Sequence, residues 1–439
     1  MAASMTRAEI GEKVFFSHIP DPKFKRNLVS INFIMPLDAA TASDNAVVPY
    51  ILRKGCREIP DFSDFNGKLA ELYGASLSAG ISKVNGWQVI GVSLSGLDNR
   101  FALEGEDITG ECASLLAAVA LDPKLDKNGV FDEKDTELER RFILDSIEAE
   151  INEKRSYALS KCMQAMCAGE PVAVRKYGTA ETAGLITARS AAQAYRNMLK
   201  TASVEITFTG CGDPSTAKDI FTREFSKVKR KAPGFSLIPL RTTADSVKHE
   251  EEVMDVNQAK LVMGFRVGDV TTDEEQYAMR LCSAVLGGTP FSKFFLNVRE
   301  KLSLCYYCAA NYDRYNRLLV VDSGIEYANR KTTQGEIMRQ IKAVQDGEVT
   351  DEELANTKLL AASSITKSTD SPSAMESWYL HQFFRHGSKG GEAKTPEEDA
   401  AALCEVTKTQ LVEAARRIQL DTVYCLHGGE EGEGASDAN

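Results

Sequence analysis

The chain has 439 residues, 43% of them hydrophobic and 26% charged, the make-up of a globular protein long enough for two or more cores. Its net charge of −11 opposes sequence-independent binding to nucleic acid, which depends on neutralising phosphates, and opposes docking on anionic membrane surfaces. No apolar run approaches the roughly 20 residues of a membrane-spanning helix, and the opening residues lack the basic-then-apolar plan of a secretory signal and the Arg-rich look of a transit peptide.

In chain order, residues 28–35 read as a strand, residues 135–167 as one long helix and residues 204–210 as a second strand. The helix is carried by Leu138, Phe142, Ile143, Ile147, Ile151, Ala158, Cys162 and Met166, which recur near helical spacing. A basic stretch ending in Pro233 and Gly234, an apolar segment 235–240 and a polar run 241–252 then read as a linker. Beyond it, residues 259–267 and 318–323 predict strands, and 351–367 and 408–418 predict helices. The aromatics within 378–384 predict a core or interface face of one helix, and the acidic, Gly-rich residues from 428 onward predict disorder. Domains are therefore expected at 1–226 and 251–427, with a linker at 227–250 and a tail at 428–439. An offset of 230 pairs Leu72 with Leu302, Leu77 with Tyr307, Val89 with Leu319 and Ser93 with Ser323, so the halves read as copies. Long helices between antiparallel-type strands place the chain in the α+β class.

The ten cysteines stand singly in apolar segments, as buried reduced thiols do, and predict a reducing cytoplasm. Cys305 and Cys308 form a C-x-x-C, but regular strand alternation would point the two thiols to opposite faces. His381 and His386 are five apart, roughly 140° out of register on a helix. His249 lacks a second histidine at ligand spacing. The glycines of 287–293 are wrongly spaced for a P-loop, and no Gly-x-Ser-x-Gly elbow occurs.

Several segments in order resemble the pitrilysin/mitochondrial-processing-peptidase family, the inverzincins with a His-x-x-Glu-His motif. The strongest is residues 286–306, a small-residue turn, a helix, Arg299-Glu-Lys301 and then Leu304-Cys-Tyr306. Residues 349–358 resemble the opening of the family's long helix in its second half, 369–372 the turn after it, 176–181 a family loop and 209–213 a strand end. The resemblance covers all but the acidic tail. It implies two similar domains, each an antiparallel-type sheet covered by helices, forming a clamshell half-chamber.

In active members the motif lies on a helix just before a Lys-Gly turn, two imidazoles bind zinc and the Glu activates water. Setting it against Lys54-Gly55 puts Ala46 and Tyr50 at the histidine positions and Pro49 at the base. The third ligand, a Glu seven residues after another Glu, falls on Ser146 after Glu139. An alkyl group, a proline ring and a phenol that titrates near ~10 offer neither ligand nor base. No metal and no other cofactor is expected on this chain.

The resemblance gives Arg299 the role of holding substrate carbonyls and Tyr306 that of stabilising the oxyanion. By composition alone, Arg299 reads as a surface helix residue paired with Glu300, and Tyr306 as a packed strand aromatic. The expected function is that of a non-catalytic, substrate-binding subunit of a heterodimeric zinc metalloendopeptidase. Its partners are an active zinc-bearing homologous subunit and a peptide substrate, with no nucleic acid and no membrane. The alternative is a structural or assembly scaffold that kept the fold without peptide chemistry.

Overall fold

The computed structural model describes residues 5–367, 369–386 and 393–428, so the acidic tail from residue 429 onward lies outside the described residues. Strands β1 (Thr6–Gly11), β2 (Val14–Pro20), β3 (Arg26–Pro36), β4 (Ser76–Val84), β5 (Trp87–Leu97) and β6 (Ser203–Gly210) form one sheet, in the order β1-β2-β6-β3-β5-β4. Strands β7 (Lys248–Val253), β8 (Ala259–Arg266), β9 (Cys305–Asp313), β10 (Leu318–Ile325) and β11 (Gln419–His427) form the other, in the order β7-β11-β8-β10-β9. Each sheet is antiparallel except for one parallel pair, β2 with β6 and β7 with β11. The principal helices are α1 (Ala42–Leu52), α2 (Ile108–Leu121), α3 (Glu133–Asn152), α4 (Lys154–Met166), α5 (Ala188–Thr201), α6 (Ser215–Ser226), α7 (Asp273–Ser283), α8 (Arg330–Gln345), α9 (Asp351–Lys367), α10 (Pro372–His386) and α11 (Lys408–Arg416). Two sheet-and-helix assemblies of this kind are the expected α+β architecture.

The chain gathers into two compact units. One holds Met1–Glu148, Val174–Ile238 and Lys367–Pro396, and the other holds Ala149–Ala173, Pro239–Thr366 and Glu397–Asn439. Each unit thus takes one segment from the far half of the sequence. The helix expected over 135–167 is two helices, α3 and α4, broken at Glu153 with φ −83° and ψ 77°. The break falls close to where the chain passes from one unit to the other, and no Gly or Pro marks it.

In the first unit, strand alternation sends Val29, Ile31, Phe33 and Met35 of β3 and Ile90, Val92 and Leu94 of β5 into one core with α1, α2 and α5. Burying such side chains stabilises by about 1.5–3 kcal/mol each. The other sheet face is small and polar over β3, β4 and β5, and α10 packs on this sheet at β6 and β3. Tyr379, Leu380, Phe383 and Phe384 of α10 are buried, as the aromatic run predicted. Residues of the expected linker are pinned here. Phe235 packs on Trp87 and Phe384, at 6.0 and 4.9 Å between ring centroids, and Ile238 exchanges two backbone hydrogen bonds with the Asn85 side chain.

In the second unit, α4 lies on β8, β10 and β11, where Ala158 and Cys162 meet Val262, Val320, Tyr424 and Leu426. Gly264 permits this approach, since a Cβ there would come within 2.7 Å of Met166 Sδ. Arg266 is fully buried and fully engaged. Its Nε donates to Asp421 at 3.0 Å, and its other nitrogens donate to Glu170 at 2.7 Å and to the carbonyls of Met166 and Arg241 at 2.8 and 2.9 Å.

The two β-hairpins do correspond, though not at a single offset of 230. Core-facing Ala79 and Ile81 match Cys308 and Ala310, and core-facing Ile90 and Val92 match Val321 and Ser323. The hairpin turn of the second unit is longer by two residues, joining Asp313 to Leu318 where the first joins Val84 to Trp87. An offset of 230 therefore pairs opposite sheet faces. Among the described residues, no helix is long and apolar enough to cross a membrane.

Candidate functional site

Ala46 lies on α1 with its methyl in the core of the first unit. Pro49 is inside the same helix and has no N–H to give. Tyr50 is 5% exposed and stacks obliquely on Phe142 of α3, with ring centroids 4.8 Å apart. Its hydroxyl sits 3.2 Å from the Tyr177 hydroxyl, and burial, aided by that contact, pushes the phenol well above its usual range. The Arg53 guanidinium covers both rings, at 5.4 and 5.9 Å from their centroids.

Glu139, 1% exposed, meets Lys54 at 2.7 Å and Arg53 at 3.4 Å, so its charge is spent on two cations. Ser146 donates its hydroxyl back to the Phe142 carbonyl at 2.7 Å. These residues do not fit a zinc ion: they offer a methyl, a proline ring, an engaged phenol and a hydroxyl bound to its own helix. Among the described residues, no three His, Cys, Asp or Glu side chains gather where they could hold a metal. The histidines find other work. His427 stacks on Tyr327 with centroids 3.9 Å apart, and His381 Nδ1 lies 2.6 Å from the Ser377 carbonyl.

Arg299 and Tyr306 belong to the second unit. Arg299 rides on a π-helix, Phe294–Lys301, whose wider winding is uncommon. The chain leaves it through Ser303, which holds a left-handed φ of 51°, and the Leu304 N–H returns to the Val298 carbonyl at 3.0 Å. The strand that follows, β9, is the outer strand of its sheet. Cys308 faces Ser323 and Tyr307 faces Gly324, yet Cys305 faces Ile325, so Tyr306 is an extra residue, a β-bulge.

The bulge turns the Tyr306 side chain outward, 59% exposed, and resets the alternation after it. Cys305 and Cys308 are consequently both buried on the inner side, which corrects the expectation that they face apart. A hydrogen bond between the two thiols lowers the pKa of Cys305 and raises that of Cys308. Elsewhere burial is the main cause that pushes thiols up, Cys112 and Cys282 to about 12 and Cys425 to about 11, so they are poor nucleophiles. All ten cysteines are free.

Arg299 and Tyr306 line one recess of about 430 Å³ with Glu300, Ser303, Cys305 and Glu326. The guanidinium lies 4.8 Å from the Phe295 ring centroid and 3.5 Å from Glu300. The surface reading of Arg299 therefore holds in part, while Tyr306 is not a packed core aromatic. A guanidinium fork, an exposed phenol and an open strand edge can together hold an extended backbone. The sequence did not disclose the bulge, the Tyr177 contact or the spending of Glu139 on Lys54 and Arg53.

Two sheet-and-helix units, with Arg299 and Tyr306 at a recess of the second, are the fold and candidate site that the comparisons match. Residues 186–360 match the family model of the Peptidase M16 inactive domain. The chain is 27% identical over 411 residues, 93% of its length and 94% of the relative's, to the probable inactive metalloprotease YmfF of Bacillus subtilis. The crystal structure of a conserved protein from Enterococcus faecalis V583 superposes with a TM-score of 0.87 at 23% identity, covering 98% of this chain and 100% of that one. The peptidase M16 inactive domain from Pseudomonas fluorescens follows with 0.75 at 16% identity, over 97% and 98%. Over residues 186–360 the chain is similar to the Peptidase M16 inactive domain, and along nearly its whole length to a probable inactive metalloprotease, in line with its resemblance to the pitrilysin and mitochondrial-processing enzymes.

Proposed function

We propose that this chain is the substrate-binding subunit of a heterodimeric zinc metalloendopeptidase acting on peptides in the cytoplasm. A homologous partner carrying His-x-x-Glu-His supplies the metal and the base, and this chain supplies Arg299, Tyr306 and an open strand edge. The observation that carries the reading is a contrast. The positions that the resemblance would give to zinc are packed around Tyr50, Phe142 and Tyr177, while Arg299 and Tyr306 line an open recess.

The test is co-expression with a His-x-x-Glu-His homologue from the same source, followed by pull-down and a peptide-cleavage assay. The pair should cleave and the isolated chain should not. Arg299→Ala and Tyr306→Phe should each lower kcat of the pair by about 100-fold, the scale of losing one oxyanion donor, with the complex intact. Full activity in both variants would overturn the assignment and leave a scaffold.

A further inference from the structure

The first unit holds a second recess, built away from the features above. Its floor is the polar face of the sheet, with Ser30 and Asn32 on β3, Gly91 on β5, and Gly80 and Ser82 on β4, and it encloses about 310 Å³. One wall is Glu376 of α10, the sole ionisable side chain among the lining residues. Ser30 Oγ and Asn32 Nδ2 donate to Glu376 at 2.5 and 2.7 Å, and both bonds go to Oε1. Oε2 has no partner among the described residues. The carboxyl is sunk among protein atoms, and burial raises its pKa against the effect of both donors. The residue nevertheless keeps accessible surface, and that surface opens into the recess.

A desolvated carboxylate with one oxygen unpaired and no cation beside it is costly to maintain for packing alone. The floor is shaped as well as polar. A Cβ on Gly80 would meet nothing within 4 Å, so the glycine leaves space that a side chain would fill. A Cβ on Gly91 would press Asn32 Oδ1 at 2.9 Å, so that glycine leaves Asn32 room to hold Glu376.

We propose that this recess binds an alkylammonium group, carried by a lysine side chain or by a free peptide amino terminus, with Glu376 Oε2 as its counter-ion. A guanidinium suits it poorly. The two-pronged pairing that favours arginine needs both carboxylate oxygens, and Ser30 and Asn32 already occupy one. A compact ammonium needs only one oxygen plus hydroxyl acceptors, and its aliphatic stem fits over Gly80 and Gly91.

The test uses the full chain alone, so its failure leaves the peptidase proposal standing, and the converse also holds. Glycine-selective ¹⁵N labelling reports on Gly80 and Gly91. The probes are capped alanine pentapeptides with a central lysine, arginine or norleucine, and an all-alanine pentapeptide with a free amino terminus. The lysine peptide, the free-amine peptide or both should shift the Gly80 and Gly91 signals saturably, at least tenfold more tightly than norleucine or arginine. Which of the two binds identifies the source of the ammonium. Glu376→Gln should weaken that binding at least tenfold. Gly80→Leu should do the same by filling the floor while Glu376 itself is kept, and it carries the test if the first variant unfolds. Equal binding of lysine and norleucine, binding unchanged in the variants, or no shift with any probe at millimolar concentration would overturn the proposal.

Discussion

Tyr50 shows how one aromatic ring closes a packed cluster. Where a ligand would face a cation, a phenol ring instead completes a packed cluster with Phe142, Tyr177 and the Arg53 guanidinium. This gives a prediction opposite to that for a catalytic residue. Tyr50→Ala should leave any partner-dependent cleavage step untouched and cost about 3 kcal/mol of stability, seen as a lower denaturant midpoint at unchanged slope. A neutral result would mean that the cluster is not part of the core. That Ala46 and Pro49 bring no metal-binding side chain was legible, because residue type alone decides whether a donor exists. The packing around Tyr50 was not legible, because Tyr177 and Phe142 are distant in sequence and only the fold joins them to it.

At the level of elements, the strongly periodic segments were readable and the irregular ones were not. Strands β3, β6, β8 and β10 fall where the apolar runs put them. The break at Glu153 has no local signal, since nothing in the residues around it opposes a continuous helix. The bulge at Tyr306 is likewise set by register against β10, a property of two strands and not of one. Helix α7 offers a pH test at this scale. Glu275 closes its capping box, accepting from the Thr271 and Thr272 N–H groups, and meets Arg417 at 2.5 Å. These hydrogen bonds, the one from Thr272 first, pull its pKa from the ordinary 4.5 to about 2. A depressed carboxylate stabilises fully above its unfolded pKa, and that share is lost as pH falls from about 4.5 toward 2. Glu275→Gln can keep the capping geometry without the charge. Its melting temperature should therefore lie below that of the parent at pH 7, and the gap should narrow steadily between pH 4.5 and pH 2. A constant gap would show that Glu275 does not contribute this acid sensitivity.

For the whole molecule, the exchange of segments matters most. Residues 1–238 contain the first sheet but not α10, and residues 239–439 contain the second sheet but not α4. Expressed separately, each half should lack a cooperative unfolding transition, because one face of its sheet is left bare. Co-expressed, the two halves should associate and regain the transition, as followed by near-ultraviolet circular dichroism. Two independently cooperative halves would show that α4 and α10 are accessories. The exchange also sets a timetable at the ribosome. The first sheet is made early, but the helix that covers its second face emerges only when Lys367–Pro396 has been translated. For most of synthesis the apolar residues of that face, Leu28 and Ile34 among them, wait for a segment not yet made.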